Sequence, residues 1–308
     1  MPVEAAARTD LEVVPCNLCG SSDLETIYAA RPDLVRDADL GRKFRASGDE
    51  LLTQPLVRCR QCGLRFVNPR IAAPAMLDGY ASGSDPEYVS QMDARVRTFR
   101  RGLPEIERLA GGRGRLLDVG CAAGAFLKAA ADAGWDAVGI EPNAWLAAWG
   151  AEHYGVTIFV GSLDDVALSG PFDVVTLWDV IEHTPDPMHV LRRLNGLLRP
   201  GGVLIVNYPD AGSAIARALG RRWPFLSSVH LYYFTRRTMS EALRRAGFDP
   251  LIARPYIQRL ELGYIASRGA VVSPALSRVA GGAVRALGLT RAEVPYWLGQ
   301  TFVAARKT

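Results

Sequence analysis

Apolar and polar positions along this chain change their period as the sequence proceeds. From Arg115 onward, short apolar runs alternate with segments of helical period. Leu116–Val119, Ala137–Ile140, Thr157–Val160, Phe172–Trp178, Val203–Tyr208 and Gln300–Ala305 read as strands. Brief, nearly continuous apolar runs bounded by turn residues suit strands covered on both faces. Helices are expected over Ala125–Ala133, closed by Gly134, over Ala144–Tyr154, stopped by Gly155, and over Met188–Leu198, stopped by Pro200-Gly201-Gly202. Thr238 with Glu241 reads as the capping box of a helix running to Ala246. Strands alternating with helices imply right-handed crossovers and a mostly parallel, doubly wound α/β sheet over residues 113–308. Within that span, 209–235 is expected as a lid over the strand ends and 259–296 as a helical insertion. In the insertion, Leu276–Leu287 places Val279, Ala283 and Leu287 on one face, which suits a docked helix better than membrane-surface contact. Upstream, 71–112 reads as a helical linker and cover, with Val96, Phe99 and Leu103 alternating with Arg95, Thr98 and Arg101 until Gly111-Gly112. Residues 13–70 lack long periodicity, and 1–12 form an Ala-rich, disordered tail.

A doubly wound sheet binds ligands at the carboxyl ends of its strands, where the strand order reverses. The first turn there is Leu117-Asp118-Val119-Gly120-Cys121-Ala122-Ala123-Gly124. Gly120 and Gly124 permit a tight turn close to a ligand, and the helix start that follows offers free N–H groups. Glu141 ends the second strand, where a carboxylate can accept from two ribose hydroxyls. Asp164, after the third strand, is placed to accept from an adenine amino group. The loop lacks G-x-G-x-x-G spacing, so a dinucleotide pyrophosphate is poorly served.

In combination, LLDVGCAAGAFL, VGIEPN, FDVVTLWDVIEHTPDP and LRPGGVLIVNYPD resemble the successive motifs of class I S-adenosylmethionine-dependent methyltransferases. The Glu-His-x-x-Asp-Pro after the fourth strand resembles the ubiquinone-biosynthesis O-methyltransferase group. The resemblance spans roughly 113–254 plus the terminal strand and implies a Rossmann-like, seven-stranded sheet. It implies that Asp118, Gly120, Cys121, Ala122 and Gly124 surround the methionine part of S-adenosyl-L-methionine. Glu141 and Pro142 would lie at the ribose, Leu163 and Asp164 beside the adenine, and Trp178 and Asp179 near the sulfonium. The usual glycine in the middle of the loop is Ala122 here. The same resemblance associates an acid-x-x-Glu-His group, here Asp179, Glu182 and His183, with a divalent cation, although an architectural network at the strand end is the favoured reading of these residues.

Four of the five cysteines fall into two equal spacings, Cys16-x-x-Cys19-Gly and Cys59-x-x-Cys62-Gly. With no secretory signal at the N-terminus, paired C-x-x-C motifs point to metal rather than to disulfides. Four thiolates close a tetrahedral shell, so a structural zinc is expected in a small zinc-ribbon-like module, independent of the later sheet, with a segment looped out between the pairs. Such modules precede several methyltransferase groups and do not choose the substrate.

Thirty-six basic and 32 acidic side chains give a net charge of +4 spread along the chain, which argues against a nucleic-acid partner. No apolar run is long enough to span a membrane, and a cytoplasmic location is expected. Methyl transfer to an oxygen needs alignment and a base, and the chain has four histidines. His153 and His189 lie in expected helices. His183 follows the fourth strand, and His230 sits in a basic, aromatic segment with Trp223 and Tyr232 as possible pocket walls. His230 stands between proton acceptor and structural hydrogen-bond partner. The favoured function is methylation of a small organic acceptor, on oxygen, in a biosynthetic or secondary-metabolic pathway. An rRNA methyltransferase gripping RNA through its zinc module, and a non-catalytic cofactor-binding protein, remain the alternatives.

Overall fold

The computed structural model describes residues 11–31, 51–268 and 274–308. Its strands are β1 (Leu11–Glu12), β2 (Leu24–Tyr28), β3 (Leu56–Cys59), β4 (Arg65–Val67), β5 (Arg70–Ile71), β6 (Arg115–Val119), β7 (Asp136–Glu141), β8 (Thr157–Val160), β9 (Phe172–Trp178), β10 (Leu198–Pro209), β11 (Tyr232–Tyr233), β12 (Phe248–Pro255), β13 (Gln258–Glu261), β14 (Glu293–Tyr296) and β15 (Gln300–Lys307). The central sheet has the order β12-β15-β10-β9-β6-β7-β8. β15 runs antiparallel to both of its neighbours, and the pairs from β10 through β8 are parallel. The order reverses between β6 and β9, which places a crevice at the carboxyl ends of those strands. Val203–Tyr208 on β10 is wholly buried, as a parallel strand covered on both faces requires.

The seventh strand, β12, does not stand out in the sequence. Pro250 and Pro255 break its run, and it bulges between Pro250 and Ile252. Prolines are tolerated there because β12 is the edge of the sheet, where a missing N–H disrupts no inner ladder. The helix Arg236–Arg245 begins one box earlier than the sequence pattern suggested. Thr235 accepts from the Thr238 amide and Thr238 reciprocates, while Glu241 pairs with Arg245 at 2.7 Å.

The 71–112 region folds as the helices Ala73–Ala81, Pro86–Val89 and Met92–Ala110. Met92, Val96, Leu103, Ile106 and Leu109 turn the long helix inward, and Phe99 meets Phe126 edge to face at 5.3 Å. This helix also carries the insertion. Thr98 and Arg259 share a pair of hydrogen bonds, and Arg97 reaches Glu293. The insertion is the β13–β14 hairpin with the helices Leu262–Arg268 and Pro274–Ala286 between its strands. Val279 and Leu287 are 72% and 70% exposed, so the face expected to dock is turned to solvent.

The cysteine-bearing strands do not form a separate body. β2, β3 and β4 continue into β11, which comes from the segment 209–235. Phe66, Leu64, Cys16 and Cys59 share one apolar core with Leu117, Leu177, Leu204 and Tyr208 of the central sheet. The segment expected as a lid is therefore anchored: Trp223 is buried and donates to the Leu298 carbonyl, and the Tyr232 hydroxyl donates to that of Pro185. Both side chains are packing residues rather than pocket walls. Of the expected tail, Leu11–Glu12 pairs with β5. Residues 1–10 of the tail and 32–50 of the looped-out segment lie outside the described residues. No described helix is long and apolar enough to cross a membrane.

Candidate functional site

The loop after β6 is built from left-handed backbone. Gly120 and Gly124 have φ of 67° and 74°, and Ala122 takes 47° despite its side chain. A Cβ on Gly120 would come within 2.7 Å of Val180, so the loop passes close beneath the turn after β9. The Gly120 and Cys121 amides donate to the Ile140 carbonyl, and Cys121 is a small buried residue against Gly139. Asp118 is buried under the loop, accepts from Thr176 at 2.6 Å, and is pushed up to about 8 by burial.

Glu141 closes the loop from the other side. Its two oxygens accept from the Ala122 and Asn143 amides, each at 2.8 Å, and the Tyr80 hydroxyl is a third partner. The residue is 0% exposed, and burial raises its carboxyl to about 7. Asn143, after Pro142, caps the next helix and donates to the Tyr80 and Gly83 carbonyls. The cover is thus latched onto the residue expected at the ribose. Leu163 is buried, whereas Asp164 faces outward to His189 at 3.0 Å and Arg193 at 3.5 Å.

Trp178 and Asp179 end β9 as expected. The Trp178 ring sits among Phe99, Phe126 and Tyr256. Asp179 has φ of 54° and accepts from the Asn207 side chain at 2.7 Å. Burial raises its pKa, against the pull of Arg95. The helical period put Arg95 among the polar positions of the cover, but it is half-buried, with its guanidinium 4.4 Å over the Tyr88 ring. Arg95 Nε, Gln91 Oε1 and Trp178 Nε1 are buried without a hydrogen-bond partner. Such orphaned polar atoms mark a site that receives something polar.

The four cysteines converge as their spacing implied. Cys16 and Cys62 sulfurs lie 3.4 Å apart, and Cys19 and Cys59 sulfurs 3.5 Å, with no disulfide. A tetrahedron with Zn–S bonds of about 2.3 Å has edges of about 3.8 Å. Backbone amides of Leu18 and Cys19 point at the Cys16 sulfur, and those of Gln61 and Cys62 at that of Cys59. Gly20 and Gly63, with φ of 77° and 83°, close the two knuckles.

In the acid-x-x-Glu-His group that the resemblance associates with a cation, Asp179 stands apart from Glu182 and His183. Ligand atoms of Glu182, His183 and His230 lie within 4.8 Å of one another, and Asp179 is not among them. The His183 and His230 rings meet edge to face at 4.7 Å. Burial lowers His183 to about 4, and burial with the neighbouring His183 lowers His230 to about 3.

A family model described as a methyltransferase domain matches residues 88–252, more than half of the chain. The chain belongs to this methyltransferase family. The match covers the cofactor loop, the cover helix Met92–Ala110 and the Glu182–His183–His230 group, and leaves the cysteine knuckles outside it. The ubiquinone biosynthesis O-methyltransferase of Methylococcus capsulatus is 38% identical over 127 residues, covering 39% of this chain and 53% of that one. Its counterpart in Cereibacter sphaeroides is 32% identical over 151 residues, covering 44% and 61%. The chain therefore spans between about half and three fifths of these relatives' length. A solved SAM-dependent methyltransferase from Archaeoglobus fulgidus overlaps 72% of this chain and 100% of its own, at 16% identity and a TM-score of 0.47.

One further feature escaped sequence reasoning. A cleft of about 620 Å³ opens between Gln91 and the insertion, lined by Glu261, Tyr264, Ser277 and Arg285 among others. It is within the size range of small-molecule sites. Tyr264 and Asp179 both act electrostatically on Arg95, so the cleft adjoins the end of β9. The fold makes it from segments distant in sequence, which no local motif announces.

Proposed function

We propose that the chain transfers the methyl group of S-adenosyl-L-methionine to a small organic acceptor, on oxygen, in a biosynthetic pathway. The observation that carries this reading is the latch between Glu141 and the Ala122 amide beneath a left-handed loop, at the point where strand order reverses. When bound, the cofactor supplies an already activated methyl carbon. The chain's own residues must then bind, align and exclude water. Asp118, Gly120, Cys121, Ala122 and Gly124 would cradle the methionine part, with Arg95 meeting its carboxylate. Glu141 would exchange the Tyr80 hydroxyl for ribose hydroxyls beside Pro142, Leu163 and Asp164 would flank the adenine, and Trp178 and Asp179 would border the sulfonium. The acceptor enters through the cleft beside Gln91, and its proton is managed at the Glu182–His183–His230 group. The O-methyltransferase names of the relatives support oxygen as the nucleophile.

Zinc at Cys16, Cys19, Cys59 and Cys62 is part of the same reading, as a closed structural site. The test is methyl transfer from labelled cofactor to a panel of phenols and alcohols, with His230→Ala beside the wild type. Loss of a group that handles a proton lowers kcat by about 10²–10⁴. Cofactor affinity should stay near that of the wild type. An unchanged single-turnover rate in the variant would detach this group from the acceptor's proton, and absence of cofactor binding would remove the whole reading.

A further inference from the structure

The cleft beside Gln91 differs from an ordinary small-molecule site in what lines it. Such sites are mostly apolar, with a few polar groups that fix orientation. Here the described lining residues include two carboxylates, Glu87 and Glu261, two arginines, Arg278 and Arg285, the Gln91 amide and the Tyr264 ring. The others are serine, threonine and glycine, and none of the described lining residues is aliphatic. Among the described residues, no ion pair occupies either arginine or either carboxylate. Both arginines stand on the insertion helix Pro274–Ala286, about two turns apart. Gly281 lies between them, and a Cβ there would meet only Arg285, at 3.7 Å, so a ligand can approach the helix closely. Gln91 is 8% exposed, its Nε2 donates to the Ser90 hydroxyl at 3.3 Å, and its Oε1 is buried without a partner. It precedes Arg95 by one helical turn, and Arg95 Nε is likewise unpartnered. The two residues lead from the cleft toward Asp179 at the end of β9.

We propose that the acceptor is a carbohydrate, a ring with several hydroxyls of which one takes the methyl group. The inference rests on the methyltransferase reading and narrows its small organic acceptor to a class. An apolar acceptor laid in this cleft would strip water from the carboxylates, the arginines and Gln91 Oε1 and return no hydrogen bonds. Sugar hydroxyls both donate and accept. They can donate to Gln91 Oε1, Glu87 and Glu261 and accept from Arg278 and Arg285, while Tyr264 offers a ring to the C–H face of the sugar. A phenol with one or two hydroxyls satisfies only some of these groups. An anion without hydroxyls would meet two carboxylates and still leave Gln91 Oε1 unpaired. In the transfer, a sugar hydroxyl oxygen bonds to the methyl carbon as the carbon–sulfur bond breaks. The electron pair of that bond stays on sulfur, and the hydroxyl proton is released to solvent. The products are a sugar methyl ether and the demethylated cofactor.

The experiment is methyl transfer from labelled S-adenosyl-L-methionine, by the full chain, to matched acceptors. The sugars are pyranoses of gluco, galacto, manno and 6-deoxy configuration, each as methyl glycoside, 1-phosphate and uridine diphosphate ester. Catechol, caffeate and octanol are the non-sugars. At least one sugar should be methylated with kcat/KM at least about 10-fold above every non-sugar, because a site built to bond hydroxyls rejects molecules that lack them. Carbon-13 shifts and mass fragmentation should place the label as an ether on a ring hydroxyl. Activity on any of the three forms supports the proposal, and which form is used separates a free sugar from a phosphate-linked one. Gln91→Leu and Glu261→Gln should each raise KM for that sugar by about 10-fold, with little change in kcat or in cofactor affinity. Melting temperatures report folding, and if Gln91→Leu unfolds, Glu261→Gln alone must show the effect. Methylation of non-sugars only, sugar turnover untouched by the folded variants, or no turnover by protein that binds cofactor would overturn the proposal. Cofactor binding by calorimetry is a separate readout. Its absence removes the methyltransferase reading, whereas methylation of phenols with every sugar untouched leaves that reading standing.

Discussion

Asp118 places a carboxylate under the cofactor loop where every neighbour is covered, and that burial has a pH signature. Its pKa is raised to about 8, against an ordinary value near 3.8. The sign follows from linkage. The unfolded chain releases this proton above about pH 4, while the folded chain keeps it to about pH 8. Stability from this group is complete at low pH and is lost as pH rises through that window. Asp118→Asn keeps an acceptor for the Thr176 hydroxyl and removes the titration. Its thermal stability should fall less between pH 5 and pH 8 than that of the wild type. Identical slopes for the two proteins would place the Asp118 proton elsewhere. Glu141 offers a second test at this scale. Hydrogen bonds to a charged group are worth about 1.5–3 kcal/mol each. Glu141→Ala should weaken S-adenosyl-L-methionine binding by at least 10-fold in calorimetry, and wild-type affinity would contradict its placement at the ribose. Tyr80→Phe keeps the carboxylate but loosens the latch, so cofactor should enter and leave faster in stopped flow with a much smaller change in affinity.

Elements built from contiguous sequence were legible in advance, and those that depend on distant partners were not. The run Val203–Tyr208 and the glycine stops announce β10 and its neighbouring helices because apolar period and turn chemistry are local. β12 was hidden because its prolines are harmless only at a sheet edge, and edge position is a property of the whole sheet. Arg95 fell among the polar positions of the period, which reports which way a residue points, not what lies beyond it. The insertion helix shows the converse error: Val279 and Leu287 form an apolar face that the fold leaves exposed. The Thr235–Thr238 box lay one box away from the pair the pattern favoured, since Thr238 can serve either as cap or as third residue. That distinction is measurable. Thr235→Ala removes the cap of Arg236–Arg245 and should cost about 1 kcal/mol in denaturant unfolding. Glu241→Ala loses only an exposed ion pair and should cost about 0.5 kcal/mol or less. The reverse order would restore Thr238 as the cap.

At the scale of the whole molecule, the cysteine knuckles and the methyltransferase sheet act as one body, against the expectation of an independent module. Asn17, between Cys16 and Cys19, donates to Asp186 at 2.8 Å and accepts from the Met188 amide at 2.9 Å. The Leu18 carbonyl takes a hydrogen bond from Arg245. On the second knuckle's side, β4 pairs with β11, and the Val67 amide donates to the Leu231 carbonyl next to His230. The first knuckle therefore buttresses the helix start after His183, and the sheet of the second fixes the strand after His230. A metal that organises the knuckles contributes its binding free energy to folding of everything that shares their core. Two outcomes of removing that metal are distinguishable. An independent module would melt alone and leave the later sheet with its own transition. A shared core predicts a single calorimetric transition in the loaded protein that moves down as a whole when zinc is chelated or Cys59 is replaced by Ser. Hydrogen exchange should then rise at residues 229–233 as well as at the knuckles, and methyl transfer should fall although no knuckle residue borders the cofactor loop. Two transitions in the stripped protein, with 229–233 still protected, would return the knuckles to the role of an appendage.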